Sequence, residues 1–233
     1  MQFRYALPAA AFLAAACGGD KTPPVVPPAE APAAAPAPAG APASQEILAR
    51  GTVVLGQTIT FRSCDGPPIM TVLDSSSNRL RGTYGLLSAT EEQGMFILAR
   101  GAMSPRRELI LRELEFAVLP EPGQGCDQPS PDYSIAIHGV DSAWSVAIKD
   151  QAILFQNSPS AQPISFPAAA PADSAGSTTY RSTTEPDRAH TLHIVLAPAS
   201  CREAKTGAYS PMRATVVIDT SRLSGCAWRG RLP

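Results

Sequence analysis

From about residue 48 onward, apolar and polar positions alternate along most of the chain. "GTVVLGQTITFRSC" (51–64) is rich in Val, Ile and Thr; "IMTVLD", "RLRGTYGLLS", "GMFILARG" and "RELILRELEFAVL" follow, separated by Gly, Ser, Asn and Pro clusters. Alternation sends successive side chains to opposite faces of an extended backbone, which marks half-buried strands. The leucines of "RELILREL" also suit a helical period, but both neighbours read as strands, so Glu108–Val118 is assigned to a strand. After the loop "PEPGQGCDQPSPD" the pattern resumes in "YSIAIHG", "AWSVAIK", "QAILFQ", "PISFP", "TTYRS", "TLHIVLA", "RATVVID" and "RLSGCAW". Short strands recurring every roughly 8–12 residues with turn signals between them point to antiparallel barrels or sandwiches. No long apolar stripe of helical period occurs, and the expected fold class is all-β.

Two interruptions stand out, the Pro/Gly/Asp segment 120–132 and "FPAAAPADSAGS" at 166–177. A boundary near the first gives an N-terminal β lobe of 48–131 and a C-terminal β lobe of 132–233, each a small barrel or sandwich. The second interruption is then a long surface loop within the C-terminal lobe.

The first 44 residues follow other rules. Arg4 precedes an uncharged run, Ala6–Ala16, which ends in three alanines and Cys17. A positive start, a short apolar region and small residues at its end describe a secretory signal over 1–16. The run is too short to cross a bilayer as a helix, which takes about 20 residues. "LAAAC" resembles the bacterial lipobox, and the resemblance implies cleavage before Cys17 and acylation of that residue. Gly18 stands where an Asp would favour inner-membrane retention, so the expected location is the outer membrane, facing the periplasm. Residues 17–44 are dominated by Pro and Ala, which give too little apolar area to offset chain entropy. A disordered, lipid-anchored tether is the expectation.

The formal net charge is −1 and no Lys/Arg cluster is present, so a nucleic-acid footprint is missing. Five cysteines are odd for an exported chain until Cys17 is assigned to lipid. Cys64, Cys126, Cys201 and Cys226 remain, and an oxidising compartment lets them pair. Three pairings exist; proximity favours Cys64–Cys126 and Cys201–Cys226. The competing use, a metal or redox site, lacks a Cys-x-x-Cys or a Cys/His pair at ligand spacing. No metal or other cofactor is expected.

"HGVDSAWSVAI" followed by "CREAKTGAYSPMRATVVIDTSRLSGCAW" resembles a poorly characterised family of Gram-negative envelope proteins, many of them lipoproteins. Gly139, Trp144, Ser145, Cys201, Tyr209, Gly225 and Cys226 carry the likeness; Asp141, Ser142 and Ala143 replace the family's Glu-Pro-Phe. The likeness covers roughly the last 95 residues. It implies an envelope location and supports the second disulfide, and it brings no catalytic residue. The N-terminal lobe is faintly similar to small β domains of other envelope lipoproteins, copper-stress sensors included, but Cys64 is followed by Asp65, Gly66 and Pro67 rather than by a second cysteine.

Three histidines exist. His190 and His193, three apart on a strand, point to opposite faces and make a poor metal pair. His138, Asp141 and Ser142 are hydrolase residue types, yet they crowd one turn, and no nucleophile elbow, His-Glu-x-x-His or phosphate loop accompanies them. Trp144 and Tyr209 are candidate binding residues, with a packed aromatic as the alternative for each. The expected role is a non-catalytic envelope module that binds a protein, a glycan or a small ligand, as an inhibitor or stress sensor. The alternative is a hydrolase of envelope material.

Overall fold

A computed structural model describes residues 45–66, 68–121, 125–184, 186 and 189–231. The signal and tether expected at 1–44, with Cys17, lie outside the described residues, all of which belong to one compact unit. The alternating segments are strands, and the expected all-β class is what the chain adopts, with one short helix among the described residues.

The first sheet is built from β1 (Glu46–Leu55), β2 (Ile59–Ser63), β3 (Ile69–Asp74), β4 (Met95–Met103) and β5 (Leu109–Val118). Each strand pairs with two others in the cycle β1–β2–β3–β5–β4–β1, so the five close on themselves. All pairings are antiparallel except β3 with β5. A helix, α1 (Arg79–Leu86), links β3 to β4. This is the connectivity of an OB-type barrel, and connectivity alone carries no function. Closure leaves few edges for unwanted pairing.

"RLRGTYGLLS" is therefore a correction: it forms α1 rather than a strand. Leu80, Thr83, Tyr84 and Leu87, at helical spacing, are all buried against the barrel. Asn78 turns the chain with φ 66°, and the Ser76 hydroxyl accepts the Leu80 N–H at 3.2 Å. The hydroxyl thereby satisfies one of the donors that a helix start leaves free.

The second sheet is antiparallel and contains β6 (Ile135–Gly139), β7 (Ser145–Ile148), β8 (Ala152–Gln156), β9 (Ile164–Pro167), β10 (Ala172–Ser174), β11 (Ser177–Thr183), β12 (Thr191–Ala197), β15 (Met212–Ile218) and β16 (Ser221–Arg229). Their order is β10-β11-β12-β15-β16-β6-β7-β8-β9. The sheet curls until β11 meets β9, where Ser182 Oγ donates to the Pro167 carbonyl at 2.9 Å. Ile137, Ile153, Phe166, Ile194 and Val216 fill the interior. Within the stretch 166–177, expected to be a long surface loop, Phe166 and Pro167 end β9 with Phe166 buried in the core, and residues 172–174 pair with β11 as a short outer strand.

The chain changes sheet between β5 and β6, with one exchange. Two short strands from the C-terminal half, β13 (Cys201–Arg202) and β14 (Tyr209–Ser210), leave the second sheet and join the first, where Tyr209 pairs with Ala117 of β5. Tyr209 enters the core of the first barrel.

β4 shows how the two sheets meet, since eight of its nine residues are buried. Met95, Ile97 and Ala99 face the barrel core, while Phe96 and Leu98 face outward into apolar clusters shared with Ala208 and Trp228 of the C-terminal half. Both faces of the strand are covered, so alternation gives way to a continuous apolar run. A polar clasp adds direction. Glu115, 1% exposed, accepts from Arg100 Nε at 3.0 Å and from the backbone N–H of Arg229 at 3.2 Å. Arg229 also pairs with Glu113 at 2.9 Å. Burial pushes the Glu115 carboxyl above its ordinary value, against the pull of Arg229 and Arg100.

Candidate binding pocket at the junction of the two sheets

A pocket of about 160 Å³ lies where the outward faces of β4, β5, β6 and β16 meet. Phe96, Leu98, Phe116 and Val118 form its first-sheet side, and His138 and Trp228 its second-sheet side. Trp228 is fixed on three sides. Its ring lies 4.7 Å from Phe116 and 4.8 Å, edge on, from His138, and its Nε1–H donates to the Tyr133 hydroxyl at 3.1 Å.

Each disulfide anchors one remaining wall. Cys64 and Cys126 are bonded, with Cα atoms 5.2 Å apart, and hold the short 3₁₀ turn Gly125–Asp127 beside the end of β2. Arg50 of β1 grips the same segment: its Nη1 donates to Ser130 Oγ at 2.9 Å, and its Nη2 donates to the carbonyls of Gln128 at 2.9 Å and Cys126 at 3.2 Å. Gln128, Pro129 and Pro131 thus become a wall of the pocket. Cys201 and Cys226 are likewise bonded, Cα atoms 5.3 Å apart, and tie β13 to β16. The turn that follows β13 carries Glu203, Thr206 and Ala208 into the pocket. Both pairings are those expected from proximity.

Glu203 is the buried acid of the site, 3% exposed. Its Oε2 accepts from Thr206 Oγ1 at 2.8 Å and from Ser142 Oγ at 3.1 Å. Its Oε1 lies 3.3 Å from His138 Nδ1, an ion-pair contact when the imidazole is protonated. Burial pushes the Glu203 carboxyl up; contact with His138 and the hydroxyls of Thr206 and Ser142 outweigh it and hold the group below the usual carboxylate value. His138 is close to half exposed at the rim, and Gln128 and Pro129 are exposed, so the pocket communicates with solvent.

Of the hydrolase residue types, Ser142 gives its hydroxyl hydrogen to Glu203, whose other oxygen faces His138 at 3.3 Å, and Asp141 accepts from the Ala143 backbone at 3.1 Å; among the described residues no hydrogen bond joins Ser142 or Asp141 to His138. His190 pairs instead with Asp219 at 2.8 Å, which leaves no His190–His193 pair. Among the described residues no group of three His, Cys, Asp or Glu side chains is disposed to hold a metal ion.

Trp144 and Tyr209 stand outside this pocket. Trp144 is 8% exposed, stacks on Phe155 and lies over Gly139 and Gly225, which face one another across β6 and β16. A Cβ at Gly139 would come within 2.6 Å of the indole nitrogen, and one at Gly225 within 2.9 Å of the ring. Gly139, Trp144 and Gly225 of the motif thus form one packing unit. Tyr209, also 8% exposed, packs in the first core. The residues of the pocket, Arg50, Phe116, His138, Glu203 and Trp228, come from five segments. Only His138, whose sequence partners are Asp141 and Ser142, is noticeable from the sequence.

Comparison with protein-family models, with curated proteins and with solved structures gives no match to this chain.

Proposed function

We propose that this protein is a non-catalytic binding module of the bacterial cell envelope, anchored by lipid at Cys17 and facing the periplasm, with the junction pocket as its ligand site. The observation that carries the binding reading is the pocket itself: aromatic walls beside a buried carboxylate paired with His138, open at a solvent-exposed rim. Concave apolar sites with a few fixed polar groups are what small-molecule recognition uses. Two disulfides hold the walls, which lowers the ordering cost of binding. The small-residue lead into Cys17 and the likeness of the C-terminal half to envelope lipoproteins support the location.

The test isolates the full-length protein from envelope membranes, denatures it and identifies released small molecules by mass spectrometry. A compound enriched with the wild type and lost from folded Glu203→Gln supports the reading. Turnover of an envelope component by the wild type would replace it with the hydrolase reading. For the anchor, labelling with an alkynyl fatty acid should mark the wild type and spare Cys17→Ser; equal labelling of both would end that part.

A further inference from the structure

We propose that the outer face of the second sheet, where β11, β12, β15 and β16 run side by side, binds an acidic polysaccharide through Arg181, Arg213 and Arg222. These residues line no part of the junction pocket, and the proposal does not rest on it.

The core fixes the inner faces of these strands: Tyr180, Leu192, Ile194, Leu196, Ala214 and Val216 are buried in it. Alternation sends the residues between them outward, and cross-strand partners share a face, so the outward residues stand in rows. One row runs Arg181–His193–Val217–Arg222 across the four strands. The next runs Thr179–Val195–Thr215–Ser224. Arg213 lies further along β15 on the same face as Thr215 and Val217. Arg181, His193 and Val217 also line one cleft of about 370 Å³.

The grouping has no counterpart in the sequence, because it arises only when three separate strands pair. All three arginines are exposed, and among the described residues none of their guanidinium groups has a hydrogen-bond or ion-pair partner. The four strands contain no Asp or Glu. Asp219, in the turn between β15 and β16, is occupied by His190 at 2.8 Å and by the Thr191 N–H at 2.8 Å. The face is thus cationic on a chain of formal net charge −1.

Spacing and neighbours select the partner. Strands about 4.8 Å apart put the Arg181 and Arg222 backbones roughly 14 Å apart, and a rise of about 3.4 Å per residue puts Arg213 a similar distance from that row. One small anion cannot span such gaps; a chain of repeated negative charges can. Between the arginines stand the hydroxyls of Thr179, Thr215 and Ser224, which can donate to and accept from the hydroxyls of sugars. Nucleic-acid bases need aromatic side chains to stack on, and neither row holds one. A bilayer surface needs exposed apolar side chains to bury; Ile69, Leu73, Leu86, Met103 and Val140 are the exposed large hydrophobics among the described residues, and none lies on these strands. A polysaccharide that carries carboxylates fits the charge, the spacing and the hydroxyls together.

The test is surface plasmon resonance on the immobilised full-length protein with polygalacturonate, and with neutral dextran, oligodeoxythymidine and phosphatidylglycerol vesicles as comparators. Polygalacturonate should bind, and its affinity should fall about tenfold or more as salt rises from roughly 50 to 200 mM. Arg181→Gln, Arg213→Gln and Arg222→Gln should each weaken it about two- to fivefold, as exposed ion pairs do, and the triple variant about tenfold or more. Arg62→Gln, which removes an exposed arginine from β2 of the first sheet, should leave it unchanged. All the replaced side chains are exposed, and the probe series on the wild type needs no variant. No binding of polygalacturonate at low salt, equal binding of neutral dextran, or undiminished binding by the triple variant would overturn the proposal. So would tighter binding of oligodeoxythymidine or of vesicles that the triple variant loses, which would give the face to a nucleic acid or a bilayer. None of these outcomes bears on the junction pocket.

Discussion

Glu115→Gln is the sharpest test of how the two sheets are joined. The substitution preserves shape and removes one charge at a position 1% exposed. Arg100, its side chain 8% exposed, loses its 3.0 Å partner, and the remaining carboxylate, Glu46, is 4.0 Å away and half exposed. A pair that exposed is worth about 0–1 kcal/mol and cannot replace the buried one. An amide offers one acceptor where the carboxylate offers two, so either Arg100 or the Arg229 N–H meets an NH₂ group instead. Breaking a buried pair by removing one partner costs roughly 3–5 kcal/mol, and the Glu46 contact places the expectation at the lower end, about 3 kcal/mol. For a chain of this size that corresponds to a fall in Tm of about 6–12 °C. Urea unfolding followed by circular dichroism measures it, with the slope unchanged if only stability moves. Replacing both charges, Arg100→Met with Glu115→Leu, should cost much less than the single change. A loss below about 0.5 kcal/mol for Glu115→Gln, or a double variant worse than the single one, would refute the ion-pair account. The first outcome would mean that burial keeps Glu115 protonated at neutral pH.

Further expectations concern the walls and core of the second sheet. Cys201→Ser with Cys226→Ser, opening a bridge between residues 25 apart, should cost about 3.5 kcal/mol by loop-closure entropy, read from the urea midpoint. Because Glu203 is held below its ordinary value of 4.5, the stability it contributes is in place above that value and is lost as pH falls through the lower folded-state value. Thermal midpoints of wild type and Glu203→Gln should therefore converge on acidification below about pH 4.5; a gap that widens there would contradict the assignment. Gly225→Ala places a methyl 2.5 Å from the His138 carbonyl and should destabilise by about 1–3 kcal/mol. A thermal midpoint equal to that of the wild type would show that Trp144 does not press on this strand.

Most strands were legible because one face of each meets the core and the other meets water, as the alternating burial of β12 and β15 shows. α1 was not, because its repeat of Leu80, Thr83, Tyr84 and Leu87 spans a single short segment containing two glycines and flanked by strands. Which strands pair is set over long range, so the parallel β3–β5 contact and the transfer of β13 and β14 to the first sheet leave no local mark. The disulfides could be paired by proximity. The site could not: Glu203 lies in an ordinary polar turn, "CREAKTG", 65 residues from His138, and reaches it because the Cys201–Cys226 bridge joins β13 to the strand that pairs with β6. Arg50 carries no sequence signal, and its role arises from the bridge at Cys126, which brings the loop to it.

The central claim is that the junction pocket is a ligand site, and the two tryptophans permit a direct test by NMR of the indole N–H signals. Trp228 lines the pocket, whereas Trp144 is not among its lining residues and packs in the second core. Titration with a library of small charged and aromatic compounds should move the Trp228 signal in a saturable way while the Trp144 signal stays fixed, and Glu203→Gln should weaken the response. A Trp228 signal that no compound moves, or that moves only together with Trp144, would contradict the account.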